Sequence, residues 1–275
     1  MVGKNKIIIW CLIIAIAGCY FYYDYENRKQ EVVFLDVGQG DGILINLPGN
    51  NEILIDGGPG SKILSQLSAH LPIYDRSIEM MILTHPHADH SAGLVEVLKR
   101  YAVKKIIWNS KNENLEPAFL AFKKAAKQES GAEIININQD LVFNFLQGSL
   151  EIFYPEEEIN KSSSDLENDL SLAILWTDLK SRKFLLMADR GVAGEKTLWQ
   201  RWGDKLKNVF VLKIGHHGSE YSSGEEFLAN ISPEKAIISV GENKFGHPSL
   251  RIIRRLERIG AEVLRTDVAG DVVIK

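Results

Sequence analysis

From Glu31 to Lys275 the chain alternates short apolar runs with stretches whose apolar residues recur at helical spacing. EVVFLDV, DGILINL, NEILIDGG and IEMMILTH are β-rich and bounded by Gly, Pro and Asn, which predicts strands. SKILSQLSAHL, AGLVEVLKRY and EPAFLAFKKAAKQES carry the helical period. The second half repeats the mixture. Strands are predicted over SLEIFYP, LSLAILWT, KFLLMAD, NVFVLKIG and KAIISVG, with AEVLRT and DVVIK closing the chain. Helices are predicted over GEKTLWQRWG, SGEEFLANI and PSLRIIRRLERIG. INKSSSDLEND is the one polar, low-complexity piece and predicts a surface loop. No stretch after residue 30 has the composition of an interdomain linker. The expectation is one α/β domain over residues 31–275, with two sheets packed face to face and helices outside.

Residues 1–30 follow another pattern. Lys4 and Lys6 precede a stretch that is uncharged from Ile7 to Tyr23, at the short end of what crosses a bilayer. Two readings compete. A signal-anchor helix would keep the stretch, with Tyr20–Tyr23 and Tyr25 as an interfacial belt. Alternatively, Ile16-Ala17-Gly18-Cys19 resembles a lipobox, and the mature lipoprotein would begin at an acylated Cys19; the bulky Tyr20 after it counts somewhat against processing. Either way the leading lysines hold the N-terminus inside, and the domain lies on the extracellular face of the cell membrane.

Composition narrows the chemistry. With 275 residues, 45% hydrophobic and 25% charged, the chain is long enough for a well-buried core. Its net charge of −4 gives no global attraction to nucleic acid or an anionic membrane, so any polyanion contact needs a local patch. Both cysteines, Cys11 and Cys19, lie in the N-terminal segment. The domain therefore has no thiolate, and a metal there must take histidine and carboxylate.

Such residues are concentrated in LTHPHADH, where His85, His87, Asp89 and His90 crowd the turn that follows a strand. One ion does not easily accept four side chains from so short a turn. Two ions about 3.5–4 Å apart do, with His85 and His87 on one and Asp89 and His90 on the other. Further ligands are then required, ideally including a bridging carboxylate. Asp189 ends the strand KFLLMAD, and His216 and His217 end NVFVLKIG. A lone histidine is usually a surface or core residue, and Asp189 alone reads as a helix N-cap. Three strands ending in such residues point to a metal.

HxHxDH after a strand, with later Asp and His motifs, resembles the signature of the metallo-β-lactamase superfamily. FLDVGQGDGILI, LIDGG, THPHADHSAGL, ENDLSLAIL, FLLMAD, LKIGHHGSEYSSGEEFL and ISVGENKFGHPS resemble the C-terminal hydrolase domain of the ComEC family of DNA-uptake proteins. The resemblance covers nearly all of residues 31–275. It implies a four-layer αββα sandwich, here preceded by one N-terminal hydrophobic membrane segment, with a dinuclear site at the sheet edges. By the same resemblance His85 and His87 bind a first metal; Asp89, His90 and His217 bind a second; and Asp189 bridges them. His216 then faces the substrate, and His247 resembles the family's substrate-side histidine. Asp89, His216 and His247 are the residues implied in catalysis, and the cofactors are two divalent ions, Zn²⁺ or Mn²⁺. The superfamily's third histidine for the first metal has no counterpart between residues 91 and 188. Asn168-Asp169-Leu170-Ser171 occupies its place, leaving water or Asp169 to complete that site.

Other residues carry alternatives. Asp56 orients a ligand histidine or simply turns the chain; Asp41 does likewise or forms a β-turn. Gly57-Gly58 lets the backbone approach the metals closely. Arg251, Arg254, Arg255 and Arg258 meet a polyanion or form a solvated helix face, and His70 ends a helix. Implied is a membrane-anchored phosphodiesterase, most simply a nuclease acting on DNA in competence DNA uptake; with one hydrophobic segment it is not expected to be the channel, and it either supplies the hydrolase in trans to a polytopic DNA-uptake partner or serves another purpose at the cell surface. A second reading keeps the metals but hydrolyses a surface phosphoester or a β-lactam-like amide. A third is a non-catalytic surface binding or assembly protein. Oligomeric state is not specified by the sequence.

Overall fold

The computed structural model describes residues 3–27, 29–49, 51–109, 116–155 and 165–275. It begins with helix α1 (Lys4–Asn27). The first half then runs β1 (Glu31–Phe34), β2 (Ile43–Leu47), β3 (Asn51–Ile55), α2 (Lys62–His70), β4 (Ser77–Ile78), β5 (Met80–Leu83) and α3 (Ala88–Leu98). It continues through β6 (Ala102–Val103), β7 (Lys105–Asn109), α4 (Pro117–Gln128) and β8 (Glu133–Ile137). The second half is β9 (Leu141–Phe145), β10 (Gly148–Phe153), α5 (Leu166–Asp169), β11 (Ala173–Asp178), β12 (Lys183–Leu186), α6 (Val192–Trp202) and β13 (Val211–Lys213). α7 (Glu225–Ile231), β14 (Lys235–Ile238), α8 (Leu250–Arg258), β15 (Glu262–Arg265), α9 (Thr266–Ala269) and β16 (Val272–Ile274) complete it.

Two seven-stranded sheets form, in the orders β16-β1-β2-β3-β5-β7-β8 and β15-β14-β13-β12-β11-β10-β9. Strand alternation explains their stacking, because side chains two apart share a face. Ile43, Ile45, Ile53, Ile55 and Ile82 from the first sheet meet Ile174, Trp176, Phe184 and Leu186 from the second in one shared core. The opposite face of the first sheet, with Leu44, Leu54, Met81 and Leu83, packs on Ile63 and Leu67 of α2, Leu94 and Val97 of α3, and Phe119 and Phe122 of α4. Leu175, Leu185 and Leu212 of the second sheet pack on Leu198 of α6, Leu228 of α7, and Ile252 and Leu256 of α8. The layers are helix, sheet, sheet, helix.

Pairing direction places the site. β1, β2 and β3 are antiparallel, whereas β3, β5, β7 and β8 are parallel. The second sheet repeats this, antiparallel from β9 to β12 and parallel from β12 to β15. Parallel neighbours need helical crossovers, so the loops at their C-terminal ends gather along one edge, the usual ligand-binding edge of such sheets. β3, β5, β12, β13 and β14 send out the loops bearing Asp56, His85, Asp189, His217 and His247.

Several expectations meet a different structure. Residues 105–109, 133–137 and 141–145 form β7, β8 and β9, which the apolar pattern does not mark as strands. β8 and β9 lie at sheet edges with partly exposed residues, and β7 is hidden between two strong helical patterns. In the polar segment, residues 166–169 form the short helix α5, while residues 156–164 lie outside the described residues. Among the described residues no helix is long and apolar enough to cross a membrane. In α1 the side chains of Ile7, Ile8, Ile9, Trp10, Leu12, Ile13, Ile14 and Ile16 are exposed, as are Cys11 and Cys19. The side chains of Tyr20–Tyr23 and Tyr25 lie outside the described residues.

Candidate metal centre

The turn after β5 is organised from beneath by Asp56, fully buried and held at a positive φ of 57°. Its Oδ1 accepts from the Thr84 amide at 2.9 Å, and its Oδ2 accepts from the Thr84 hydroxyl at 2.7 Å and from His90 Nδ1 at 2.8 Å. The Thr84 hydroxyl in turn lies 3.1 Å from His85 Nδ1. Because that hydroxyl donates to Asp56, it accepts from His85. One carboxylate thus fixes two imidazoles, committing both Nδ1 atoms as donors and turning both Nε2 atoms toward the sheet edge. Gly57 and Gly58 make close approaches, but to the backbone of α3 and the side chain of Val37, not to the centre itself. The close backbone approach read from the sequence is a packing device.

Across the edge, Asp189 and His217 arrive from the second sheet. Ala188, His216 and His217 adopt left-handed backbone conformations, with φ of 47°, 46° and 51°. Such conformations cost energy for non-glycine residues and persist where surrounding contacts impose them. Here the His216 amide donates to the Ala188 carbonyl at 3.0 Å, locking the two loops together. His217 Nδ1 donates to the Ser239 carbonyl at 2.9 Å, leaving Nε2 inward. That Nε2 lies 3.4 Å from both Asp89 Oδ2 and Asp189 Oδ1, and His90 Nε2 lies 3.3 Å from Asp189 Oδ1.

Two donor groups result. Asp89, His90, Asp189 and His217 converge on one point, and His85, His87 and Asp189 on another, each with ligand atoms within 4.8 Å of one another. Asp189 belongs to both. His90 Nε2, His217 Nε2 and Asp189 Oδ1 are buried with no hydrogen-bond partner, an expensive arrangement unless a cation serves all three. The other group makes the same demand. His85 Nε2 and His87 Nδ1 face each other at 3.2 Å. Two nitrogens 2.0–2.1 Å from one tetrahedral zinc must lie about 3.3 Å apart, so the pair fits a single ion. The residues present fit a pair of divalent ions.

The electrostatics agree. Burial opposes charge on His90, yet the Asp189 and Asp56 carboxylates raise its pKa well above the usual histidine range. Burial likewise opposes charge on His217, and Asp189 and Asp89 prevail, lifting it to about 9. Despite burial, His217 and His90 hold the Asp189 carboxyl well below its usual value. His85 is pushed well down, by burial first and then by the charge on His90. Protons on His90 and His217 thus balance the carboxylates where metal cations would otherwise do so.

The comparisons with known proteins accord with this geometry. Residues 35–160 match the family model described as the metallo-beta-lactamase superfamily. Over those residues the chain carries a metallo-β-lactamase superfamily domain. It is 29% identical over 92% of its length to ComE operon protein 3 of Bacillus subtilis, of which it spans 34%. It is 28% identical over 95% of its length to competence protein ComA of Neisseria gonorrhoeae, again spanning 34% of that protein. The chain is thus about a third of the length of these curated relatives. Zn²⁺-bound PqqB from Methylobacterium extorquens shares the fold, with a TM-score of 0.54 and 13% identity, covering 86% of this chain and 87% of that one.

As a superfamily centre this one is uneven. Asp169 is not grouped with His85, His87 and Asp189; its Oδ1 accepts from the Gly191 and Gly194 amides at 2.9 and 3.2 Å, and so secures the start of α6. Instead Glu167, from α5, stands behind His87, with its Oε2 2.9 Å from His87 Nε2. The pair keeps Nδ1 of His87 free to face His85. Only the word ENDLSL drew attention to this region, and nothing in its spacing marked Glu167. Lys213 is a second unforeseen participant. Fully buried, it pairs with Asp41, donates to the Ala188 carbonyl at 2.8 Å and lies 3.9 Å from Asp189 Oδ1. Asp41 also lies 3.5 Å from His217 Nδ1, so it braces the centre.

His216 and His247 stand apart from the donor groups, at the mouth. His216 Nδ1 is 3.4 Å from Asp165, and its ring is 5.4 Å from that of His247. Burial, with His216 and His217 nearby, holds His247 down to about 4, so at neutral pH it is an uncharged imidazole. The arginines of α8 are largely paired: Arg251 with Glu220 at 3.5 Å, and Arg255 and Arg258 with Glu225 at 3.5 and 3.3 Å. His70 ends α2 and bonds Asp271 at 2.8 Å.

Proposed function

We propose that the chain is a dinuclear metal-dependent phosphodiesterase that cleaves DNA on the extracellular face of the cell membrane, in competence DNA uptake. The observation that carries the hydrolytic reading is the pair of donor groups that share Asp189. Two divalent ions, Zn²⁺ or Mn²⁺, would supply an activated water and a Lewis acid for a phosphoryl oxygen. His85 and His87 would hold one ion, Asp89, His90 and His217 the other, with Asp189 between. Asp56 and Glu167 fix the imidazoles so that the ligands need not reorganise. Asp89, about one-third exposed at the mouth, is placed to orient the attacking water. His216 is placed to give a proton to the leaving oxygen, and the uncharged His247 to hydrogen-bond the substrate phosphate.

DNA as the substrate rests on the likeness to competence proteins. A polytopic DNA-uptake partner belongs to the same proposal and rests on the same likeness. Attachment by α1, as an anchor or through acylated Cys19, is supported by the exposed apolar side chains of that helix. A second reading, a surface phosphoester or a β-lactam-like amide, is favoured by the net charge of −4 and the paired α8 arginines.

The test uses the full chain, stripped and reloaded with Zn²⁺ or Mn²⁺, against DNA and bis-p-nitrophenyl phosphate. DNA cleavage that requires metal and falls to background in Asp189→Ala is expected. Cleavage of the small diester alone would transfer the reading to surface phosphoesters, and turnover surviving Asp189→Ala would end both. Incorporation of labelled fatty acid separates the two modes of attachment, since only the lipoprotein should take up label and Cys19→Ser should abolish it.

A further inference from the structure

Large aromatic side chains belong in the interior, where each buries roughly 150–250 Å². In the sandwich, among the described residues, three stand well out into solvent: Tyr74, Tyr221 and Phe245. Two of these are on the loops that build the mouth of the metal centre. Phe245 is 73% exposed, two residues before His247; Tyr221 is 71% exposed, four residues after His217.

The loop bearing Phe245 is not slack. Asn243 clamps it, with Oδ1 accepting from the Phe245 and His247 amides at 3.1 and 3.0 Å. Asn243 Nδ2 donates to the Gly241 and His247 carbonyls, both at 2.8 Å. A rigid turn that keeps a phenyl ring in water invests order in exposure. The ring is also aligned with the centre. Its centroid lies 5.7 Å from His247, tilted 31°; His247 lies 5.4 Å from His216, and His216 6.2 Å from His217. A file of rings therefore leads from solvent to the innermost histidine.

We propose that Phe245 forms a stacking subsite for unpaired nucleobases, so that the strand delivered to the metal centre is single-stranded. This rests on the phosphodiesterase reading and names its substrate class. Stacking requires a free base face, which a duplex does not offer along its length, and it tolerates any sequence. It also accounts for a mouth without a basic stripe. On the neighbouring helix α8, Arg251 is paired with Glu220 at 3.5 Å. Affinity drawn from rings and not from cations should depend only weakly on salt.

The experiment measures binding and turnover separately on the full chain. Fluorescence anisotropy with a labelled oligothymidylate and a duplex of equal length is taken for the wild type, Phe245→Ala and Phe245→Trp. The single strand should bind more tightly than the duplex. Phe245→Ala should raise its Kd by about tenfold, the loss of one stacked base, while Phe245→Trp keeps it. The slope of log Kd against log salt should correspond to no more than about two neutralised phosphates, near 0.7 each. Turnover is read as kcat/KM for the oligonucleotide divided by that for bis-p-nitrophenyl phosphate, a ratio Phe245→Ala should lower about tenfold. Equal affinity for duplex and single strand, or binding indifferent to Phe245, overturns the subsite while DNA cleavage by the wild type leaves the phosphodiesterase reading standing. Phe245-dependent binding without turnover does the reverse. Phe245-dependent binding of a phosphate-linked glycan, with the oligonucleotide ignored, overturns the assignment to nucleobases.

Discussion

At the scale of single residues, the second sphere sets what the donors can do. Glu167 engages Nε2 of His87, and a histidine so held presents only Nδ1 to an ion. The first site has two imidazoles and a shared carboxylate and no third histidine, so it depends more on such support than the four-donor site opposite. Glu167→Gln keeps the size and removes the charge. It should weaken the less tightly held of two ions by roughly 10–100-fold and spare the other. Competition with a chromogenic chelator, counted to two equivalents, reads both constants; two unchanged constants would reduce Glu167 to a surface contact. Legibility differs at this scale for a physical reason. Ligands must converge, and HPHADH converges within one turn, so chemistry and spacing coincide in the sequence. Glu167 and Lys213 converge only through the fold, one from a polar segment and one inside an apolar strand, and no local pattern betrays either.

Among the elements, the far end of the loop after β13, where Ser223 has a positive φ of 52°, is tied down by a carboxylate outside the centre. Glu195 of α6 is buried and accepts from the Ser223 and Gly224 amides, while Arg255 of α8 donates to the Ser223 carbonyl at 3.2 Å. Burial pushes the Glu195 carboxyl up from 4.5 to about 7, against the two amides that favour its charge. With the folded pKa above the unfolded one, the folded state holds the extra proton between these values. Stability from this group is therefore complete below about pH 4.5 and declines as pH rises to about 7, by on the order of 3 kcal/mol. Glu195→Gln cannot ionise. The stability of wild type minus variant, from urea unfolding at pH 5 and pH 8, should fall by about that amount; an equal difference at both would refute the shift. The element pattern itself was readable wherever burial was one-sided. β5, β12 and β13 show their apolar runs plainly, whereas in edge strand β9 the core-facing Leu141, Phe143 and Phe145 are only partly buried and the exposed Val142 between them blurs the alternation.

For the whole molecule, the decisive feature is that neither sheet owns the centre. His85, His87, Asp89 and His90 follow β5 of the first sheet, and Asp189 and His217 follow β12 and β13 of the second. The two-sheet plan was readable because apolar strands recur in both halves, but sequence periodicity says nothing about which loops meet across the edge. That meeting has a thermodynamic consequence. An ion bound by ligands from both sheets binds the folded chain and not the unfolded one, which has no preformed site. At a hundredfold excess over its Kd, one ion adds about 2.7 kcal/mol. For a chain of this size that raises Tm by on the order of 5–10 °C. Metal also displaces the protons held by His217, near 9, and by His90, so the gain should increase with pH across the neutral range. Differential scanning calorimetry of the stripped chain with added Zn²⁺ or Mn²⁺, at pH 6 and pH 8, reads this directly. Asp189→Ala removes the one ligand common to both donor groups and should abolish most of the shift. A Tm indifferent to metal in the wild type, or a shift that survives in Asp189→Ala, would mean that the ions do not join the two sheets through this carboxylate.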